Sequence, residues 1–125
     1  MPALIIDFNQ TTSGIKQQFM EAYPYLKIEF FKKPPVPGLG NPKSAMIKED
    51  LRLSAIQNKE SFGTIGISDK LTVIELEDIF KKEYGLYVQV FRKSGKVWLE
   101  TTATDSWTLE QQNEEGESLE AQLKN

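Results

Sequence analysis

The chain has 125 residues, which fits one domain with a single buried core. It contains neither cysteine nor histidine, which excludes disulfides, thiolate nucleophiles, Ser-His triads and the usual zinc sites, so we expect a protein that is not an enzyme and holds no metal or cofactor. Its net charge of −3 is unevenly placed, because residues 1–105 hold 14 basic and 13 acidic side chains, whereas residues 106–125 hold one lysine and five glutamates.

The first part of the chain predicts a strand, a helix and a second strand. In ALIIDF, Leu4, Ile6 and Phe8 alternate with other residues, as in a strand with one buried face. This start has no basic segment followed by a long apolar run, so it does not resemble a signal peptide and we expect a cytoplasmic protein. The next segment, TSGIKQQFMEAYPYLKIEFFKK, has helical spacing up to Tyr23 and then a strand that ends in two lysines.

Residues 34–61 are predicted to be a connecting loop. The segment PPVPGLGNP cannot be a helix or an interior strand, because its prolines lack the backbone donor and have a fixed φ. The segment KSAMIKEDLRLSAIQNK allows either one helical turn or a short strand.

The second half repeats the order of the first. Alternating isoleucines in TIGISD indicate a short strand. A helix follows in SDKLTVIELEDIFKKEYGL, because apolar residues recur at helical spacing and Gly85 provides a C-terminal stop. We assign Glu75, Glu77 and Asp78 to the early turns and solvated face of this helix, where negative charge suits the helix dipole.

The segment VQVFRKSGKVWLE predicts a β-hairpin with Ser94 and Gly95 as its two-residue turn. This register places Phe91 opposite Trp98. Because side chains alternate along a strand, the valines and Leu99 share the face toward the core, and the aromatic residues share the other face.

An acidic extension, residues 107–125, follows the hairpin. We expect a short helix there, with Asp105 or Ser106 as its N-cap and with Trp107 and Leu109 as its anchors. The glycine of NEEGES interrupts the pattern, so the chain is expected to fray beyond it.

The order βαβ followed by βαββ in residues 1–106 predicts one α+β domain. The simplest arrangement is a two-layer, ferredoxin-like sandwich with an antiparallel sheet, both helices on one face, an added C-terminal strand and a short terminal helix. A ubiquitin-like roll is the alternative.

The aromatic residues opposite the helices are the first candidate site. In the predicted sheet, Phe31, Tyr87, Phe91 and Trp98 lie on the open face. Monomers seldom expose a contiguous aromatic patch, so we expect a cover, which could be the C-terminal extension, a second copy, another protein or a ligand. This favours a protein that acts by contact with other proteins, as a homodimer formed through the sheet face or an edge strand.

The basic strand tips are the second candidate site. At these tips lie Lys32, Lys33, Arg92, Lys93 and Lys96, which could bind nucleic acid or another polyanion. However, lysines also protect edge strands against aggregation, and an isoelectric point near 5.1 argues against a dedicated nucleic-acid binder. A small-ligand regulatory module is the remaining alternative, and no membrane partner is expected.

A resemblance extends over most of the chain. A group of small uncharacterised cytosolic proteins from Bacteroidetes-type bacteria has a C-terminal stretch that resembles GLYVQVFRKSGKVWLETTATDSWTLEQQNEEG, and a first half that resembles AYPYLKIEFFKKP. The resemblance implies a compact stand-alone domain and no particular chemistry.

Overall fold

A computed structural model describes residues 2–36 and 38–123. The fold is of the α+β class, as predicted. Its strands are β1 (Ala3–Ile6), β2 (Leu26–Phe31), β3 (Gly63–Gly66), β4 (Tyr87–Ser94) and β5 (Val97–Glu100). Its helices are α1 (Thr12–Ala22), α2 (Leu53–Ile56), α3 (Val73–Tyr84) and α4 (Leu109–Leu123), with 3₁₀ turns at Lys43–Ala45 and Thr102–Thr104.

The strands of the described residues form two antiparallel sheets instead of one. β1 pairs with β3, and the order of the second sheet is β2-β4-β5. The ferredoxin-like order is therefore not confirmed, because β2 and β4, which that fold places at opposite edges, pair with each other from Leu26 opposite Arg92 to Phe31 opposite Tyr87.

Side chains cap the outer edges of the smaller sheet, which explains why it does not extend. The Ile5 N–H donates to Gln18 Oε1 at 3.3 Å, and the Ile5 carbonyl accepts from Gln10 Nε2 at 2.8 Å. On β3, the Thr64 carbonyl accepts from the Tyr84 hydroxyl at 3.4 Å. Backbone groups that already have partners do not recruit another strand.

Local signals fix the two main helices where the sequence predicts them. Thr11 caps α1, since its Oγ1 accepts from the Gly14 N–H at 3.1 Å. Thr72 and Glu75 form a reciprocal capping box at the start of α3, and Gly85, with φ of +64°, ends that helix. Of the two alternatives for the central connection, a helical turn or a short strand, the structure has helical turns, at Lys43–Ala45 and in α2.

The main core lies between the helices and one face of each sheet. The largest fully buried side chains include Phe19, Phe30 and Phe80, and the rings of the last two meet edge to face at 6.2 Å. Phe8, predicted to be a core residue, is instead 60% exposed. β1 ends at Ile6 and the chain then turns, so the strand alternation does not reach Phe8.

The hairpin turn lies one residue later than predicted. Ser94 pairs with Val97, so Gly95 and Lys96 are the central residues, and Gly95 has φ of +63° at the first of them. Trp98 therefore lies opposite Lys93, and not opposite Phe91. Because β5 shifts by two residues along β4, the side chains keep the faces that the sequence predicts.

The C-terminal helix is longer than predicted and is continuous through Gly116. Thr108, and not Asp105 or Ser106, begins it, because Thr108 and Gln111 exchange hydrogen bonds in a second capping box. Leu109 is fully buried in the main core. The predicted fraying beyond Gly116 is not seen up to Leu123, and the last two residues of the predicted extension lie outside the described residues.

Candidate functional site

The predicted aromatic residues do share the sheet face opposite the main core, but that face is not open. Phe31 and Phe91 are only 3% and 7% exposed, whereas Tyr87 and Trp98 are partly buried. The cover comes from the central connection, since Ala45 and Met46 pack on this cluster. The central connection of the same chain therefore covers Phe31 and Phe91.

Lys27 completes the cover from within the sheet. Its Nζ lies 5.1 Å from the ring centroid of Trp98 and 5.6 Å from that of Phe91. The same Nζ is 3.2 Å from a carboxylate oxygen of Glu29. A basic side chain thus already occupies the aromatic surface that the sequence offers to a partner.

The predicted basic residues do not form one patch. Lys32 and Lys33 follow Phe31, whose partner is Tyr87, while Arg92 pairs with Leu26 at the other end of β2. Five residue steps along a strand separate the two ends by about 17 Å.

Helix α4 engages two of these basic side chains. The Arg92 guanidinium donates to Gln112 Oε1 at 2.7 Å and lies over the Trp107 ring at 5.6 Å. Lys93 Nζ is 3.9 Å from a Glu120 carboxylate oxygen. Arg92 and Lys93 therefore help to hold α4 on the sheet, whereas Lys96 is exposed at the hairpin turn.

A different site lies where β5 leaves β4. The last paired residue of β5 is Glu100, opposite Phe91, so β4 has an unpaired edge from Val90 back to Tyr87. Side chains take the place of the missing strand at Val90. The Thr101 hydroxyl donates to the Val90 carbonyl at 2.7 Å, and the Val90 N–H donates to Glu77 Oε2 at 3.1 Å.

This contact fixes Glu77 beside a pocket of about 220 Å³ between α3, the free edge of β4 and the loop that carries Pro35 and Gly40. Its wall includes three carboxyl groups, one lysine and two apolar residues: Glu77, Asp78, Asp105, Lys81, Ile74 and Val88. Asp105 is held there by the backbone, because its carbonyl accepts from the Ile74 N–H at 2.9 Å.

The pKa of Glu77 is raised to about 8, mainly by burial; the Val90 N–H opposes the shift, and the neighbouring carboxylates of Asp105 and Asp78 contribute to it. The prediction that Glu77 lies on the solvated face of its helix is wrong, because its side chain is partly buried against Val90. The signal was present, because Glu77 lies four residues after Val73 and three before Phe80, both on the buried stripe.

Gln89 is a second polar residue of this pocket that the sequence did not indicate. It is 3% exposed, and its Oε1 accepts from the Asn41 N–H at 3.0 Å. Its Nε2 makes no hydrogen bond with any described residue and lies so close to Gly40 that a Cβ there would come within 2.8 Å. The Gln89 amide therefore lies at the wall of the pocket, beside Gly40.

The outer edge of β5 is a further exposed feature. β5 is an edge strand of the second sheet. Its apolar residues Val97 and Leu99 are 56% and 43% exposed. Neither Lys96 nor Glu100 has an ion-pair partner among the residues that the structure describes.

Comparisons with known proteins find no family model, no curated protein and no solved structure that matches this chain. Across residues 2–36 and 38–123, no helix is long and apolar enough to cross a bilayer. In the same residues, no three acidic side chains are grouped so that they could hold a metal ion.

Proposed function

We propose that this protein is a non-catalytic domain that acts by protein contact, and that it forms a homodimer by pairing β5 with β5 of a second copy. The predicted sheet-face interface has little support, because the chain's own residues Ala45, Met46 and Lys27 cover that face. The outer edge of β5 remains for such a contact.

The backbone of β5 has the correct orientation for edge pairing. The Lys93 N–H bonds to the Tyr25 carbonyl on the β2 side, whereas the Val90 groups point to the β5 side. Since backbone groups alternate along a strand, Val97 and Leu99 bond to β4, and the N–H and C=O groups of Trp98 point outward.

The order of residues in β5 is self-complementary, and this observation carries the proposal. The segment KVWLE reads basic, aliphatic, aromatic, aliphatic, acidic. A two-fold axis at Trp98 pairs Trp98 with itself, and each Lys96 with Glu100 of the second copy. Both charged residues lack an ion-pair partner within the described residues, so this pairing would supply one.

The same axis buries the exposed aliphatic side chains. Val97 then lies opposite Leu99 of the second copy at a position without backbone hydrogen bonds, where cross-strand side chains come closest. Because the paired segment is only five residues long, the interface falls below the usual size of a tight complex, and we expect a micromolar dissociation constant.

Sedimentation equilibrium over a micromolar to millimolar concentration range tests the dimer. The wild-type mass should rise with concentration from 14.3 kDa toward twice that value. Lys96→Glu should keep the protein monomeric, because it places a second carboxylate opposite Glu100 of the other copy. Lys48→Glu, the same change at an exposed site on the central connection, should dimerise like the wild type. A wild-type mass that stays at 14.3 kDa throughout would refute the proposal.

The polyanion alternative has less support, since the basic residues lie at two ends of the sheet and α4 holds Arg92 and Lys93. The cytoplasmic location and the membership of the bacterial group remain predictions from the sequence.

A further inference from the structure

We propose that the pocket between α3 and the free edge of β4 binds a small primary amine with an apolar body, whose ammonium group contacts Glu77. This site is separate from the β5 edge and does not depend on dimer formation.

The pocket offers more than one kind of ligand contact. Strand periodicity turns the Val88 N–H and C=O to the same side as those of Val90. Apart from the β2-β4 ladder, no described residue makes a hydrogen bond with the Val88 N–H or C=O. Val88 also lines the pocket. Gln89 also lines the pocket, so the wall presents both donors and acceptors to a ligand.

The charges of the pocket favour a cation. Three carboxyl groups, of Glu77, Asp78 and Asp105, line it together with one ammonium group, of Lys81. Tyr87, from β4, is the other titratable residue in the wall. Glu77 uses Oε2 for the Val90 N–H, and no described residue donates to its Oε1. That oxygen is therefore available to an ammonium group.

The spacing of the carboxyl groups favours an organic cation over a metal ion. In the residues that the structure describes, these groups do not converge closely enough to coordinate a metal. Ile74 and Val88 supply apolar surface beside the charged groups. The pocket volume of about 220 Å³ favours a small ligand.

Cyclohexylamine is a suitable probe, because its ammonium group, like that of lysine, stays protonated up to about pH 10. Cyclohexanol has the same ring without the charge. In two-dimensional NMR titrations at millimolar concentration, the amine should shift the backbone amide signals of Val88 and Val90, and the alcohol should not. Binding should be tighter at pH 8.5 than at pH 6, because the empty site holds Glu77 protonated at the lower pH.

The Glu77→Gln variant should bind the amine about tenfold more weakly, as expected for loss of a charge-assisted contact. Glu83→Gln makes the same charge change at an exposed position on α3 and should bind like the wild type. Three results would each overturn the proposal: no amide shifts with the amine, equal shifts with the alcohol, or unchanged amine affinity in a folded Glu77→Gln variant.

Discussion

The carboxylate of Glu77 accepts a hydrogen bond from the Val90 N–H at 3.1 Å, so that a side chain from helix α3 takes the position of a neighbouring strand. The Thr101 hydroxyl does the same for the Val90 carbonyl at 2.7 Å. Together they satisfy the backbone where β5 turns away, and they leave the next pair of backbone groups, those of Val88, facing a pocket.

This arrangement makes stability depend on the charge of Glu77. Its pKa is about 8 in the folded protein and near 4.5 when exposed, so between these values the folded state holds a proton that the unfolded state has released. Stability should therefore fall as pH rises from about 5 to about 8, with a slope below the limit of about 1.4 kcal/mol per pH unit, because Glu77 is not fully buried.

The Glu77→Gln variant isolates this effect, because glutamine can still accept from the Val90 N–H and cannot ionise. Urea denaturation at several pH values should show that the variant matches the wild type near pH 5 and is the more stable of the two near pH 9. Equal pH dependence in both proteins would show that Glu77 titrates normally.

Gly116 allows α4 to pack closely against Tyr25. A Cβ at this position would lie 2.8 Å from the Tyr25 Cβ and 3.3 Å from the Tyr25 carbonyl oxygen. Alanine favours a helix by about 1 kcal/mol over glycine, but overpacking costs about 1–3 kcal/mol, so Gly116→Ala should be destabilising or neutral, and never stabilising.

The matched control is Ser118→Ala, an exposed site on the same helix, which should be neutral or slightly stabilising. Thermal unfolding of both variants measures the difference. If Gly116→Ala raised the melting temperature as much as Ser118→Ala does, the close contact between α4 and Tyr25 would be wrong.

Alanine variants at Gly38 and Gly40 distinguish the cost of backbone strain from the cost of poor packing at the pocket wall. Both have positive φ, +72° and +79°, but a Cβ at Gly40 would lie 2.8 Å from Gln89 Nε2, whereas a Cβ at Gly38 would meet nothing within 4 Å. Gly38→Ala should cost about 1–2 kcal/mol through φ alone.

Gly40→Ala should cost more, by about 1 kcal/mol or more, because it also displaces the buried amide of Gln89. Chemical denaturation of the two variants gives this difference directly. Equal losses would mean that the loop does not pack on Gln89 as described.

The parts of the fold that depend on neighbouring residues could be predicted from the sequence. Helix α3 is an example, because Thr72, Glu75 and Gly85 specify its two ends within one short segment. The alternation of side chains in the hairpin is as predicted, although the turn lies at Gly95 and Lys96 instead of Ser94 and Gly95, since a two-residue shift preserves strand alternation. The prediction that Val97 and Leu99 belong to the core is wrong, because these residues are 56% and 43% exposed on the edge strand β5.

The parts that depend on distant contacts could not be predicted in this way. The pairing of β2 with β4 joins strands that are far apart in the sequence, and the side chains of Gln10, Gln18 and Tyr84 that cap the smaller sheet also come from other elements. The cover of the aromatic cluster comes from Ala45 and Met46, in a connection whose composition gives no periodic signal.

The candidate site, too, could be predicted only in part from the sequence. The position of Glu77 on the buried stripe of α3 could be recognised from the sequence, but its partner Val90 could not, because this contact exists only where β5 leaves the sheet. The sequence therefore indicates an unusual carboxylate without indicating the pocket beside it.

Mixing two charge variants tests the proposed homodimer most directly. Lys96→Glu and Glu100→Lys should each be monomeric alone, since each places like charges opposite one another across the two-fold axis. Mixed in equal amounts, each acidic residue faces a lysine, so sedimentation equilibrium should show a dimer of twice 14.3 kDa that forms at least as readily as the wild type. A mixture that stays monomeric at concentrations where the wild type dimerises would contradict pairing through β5.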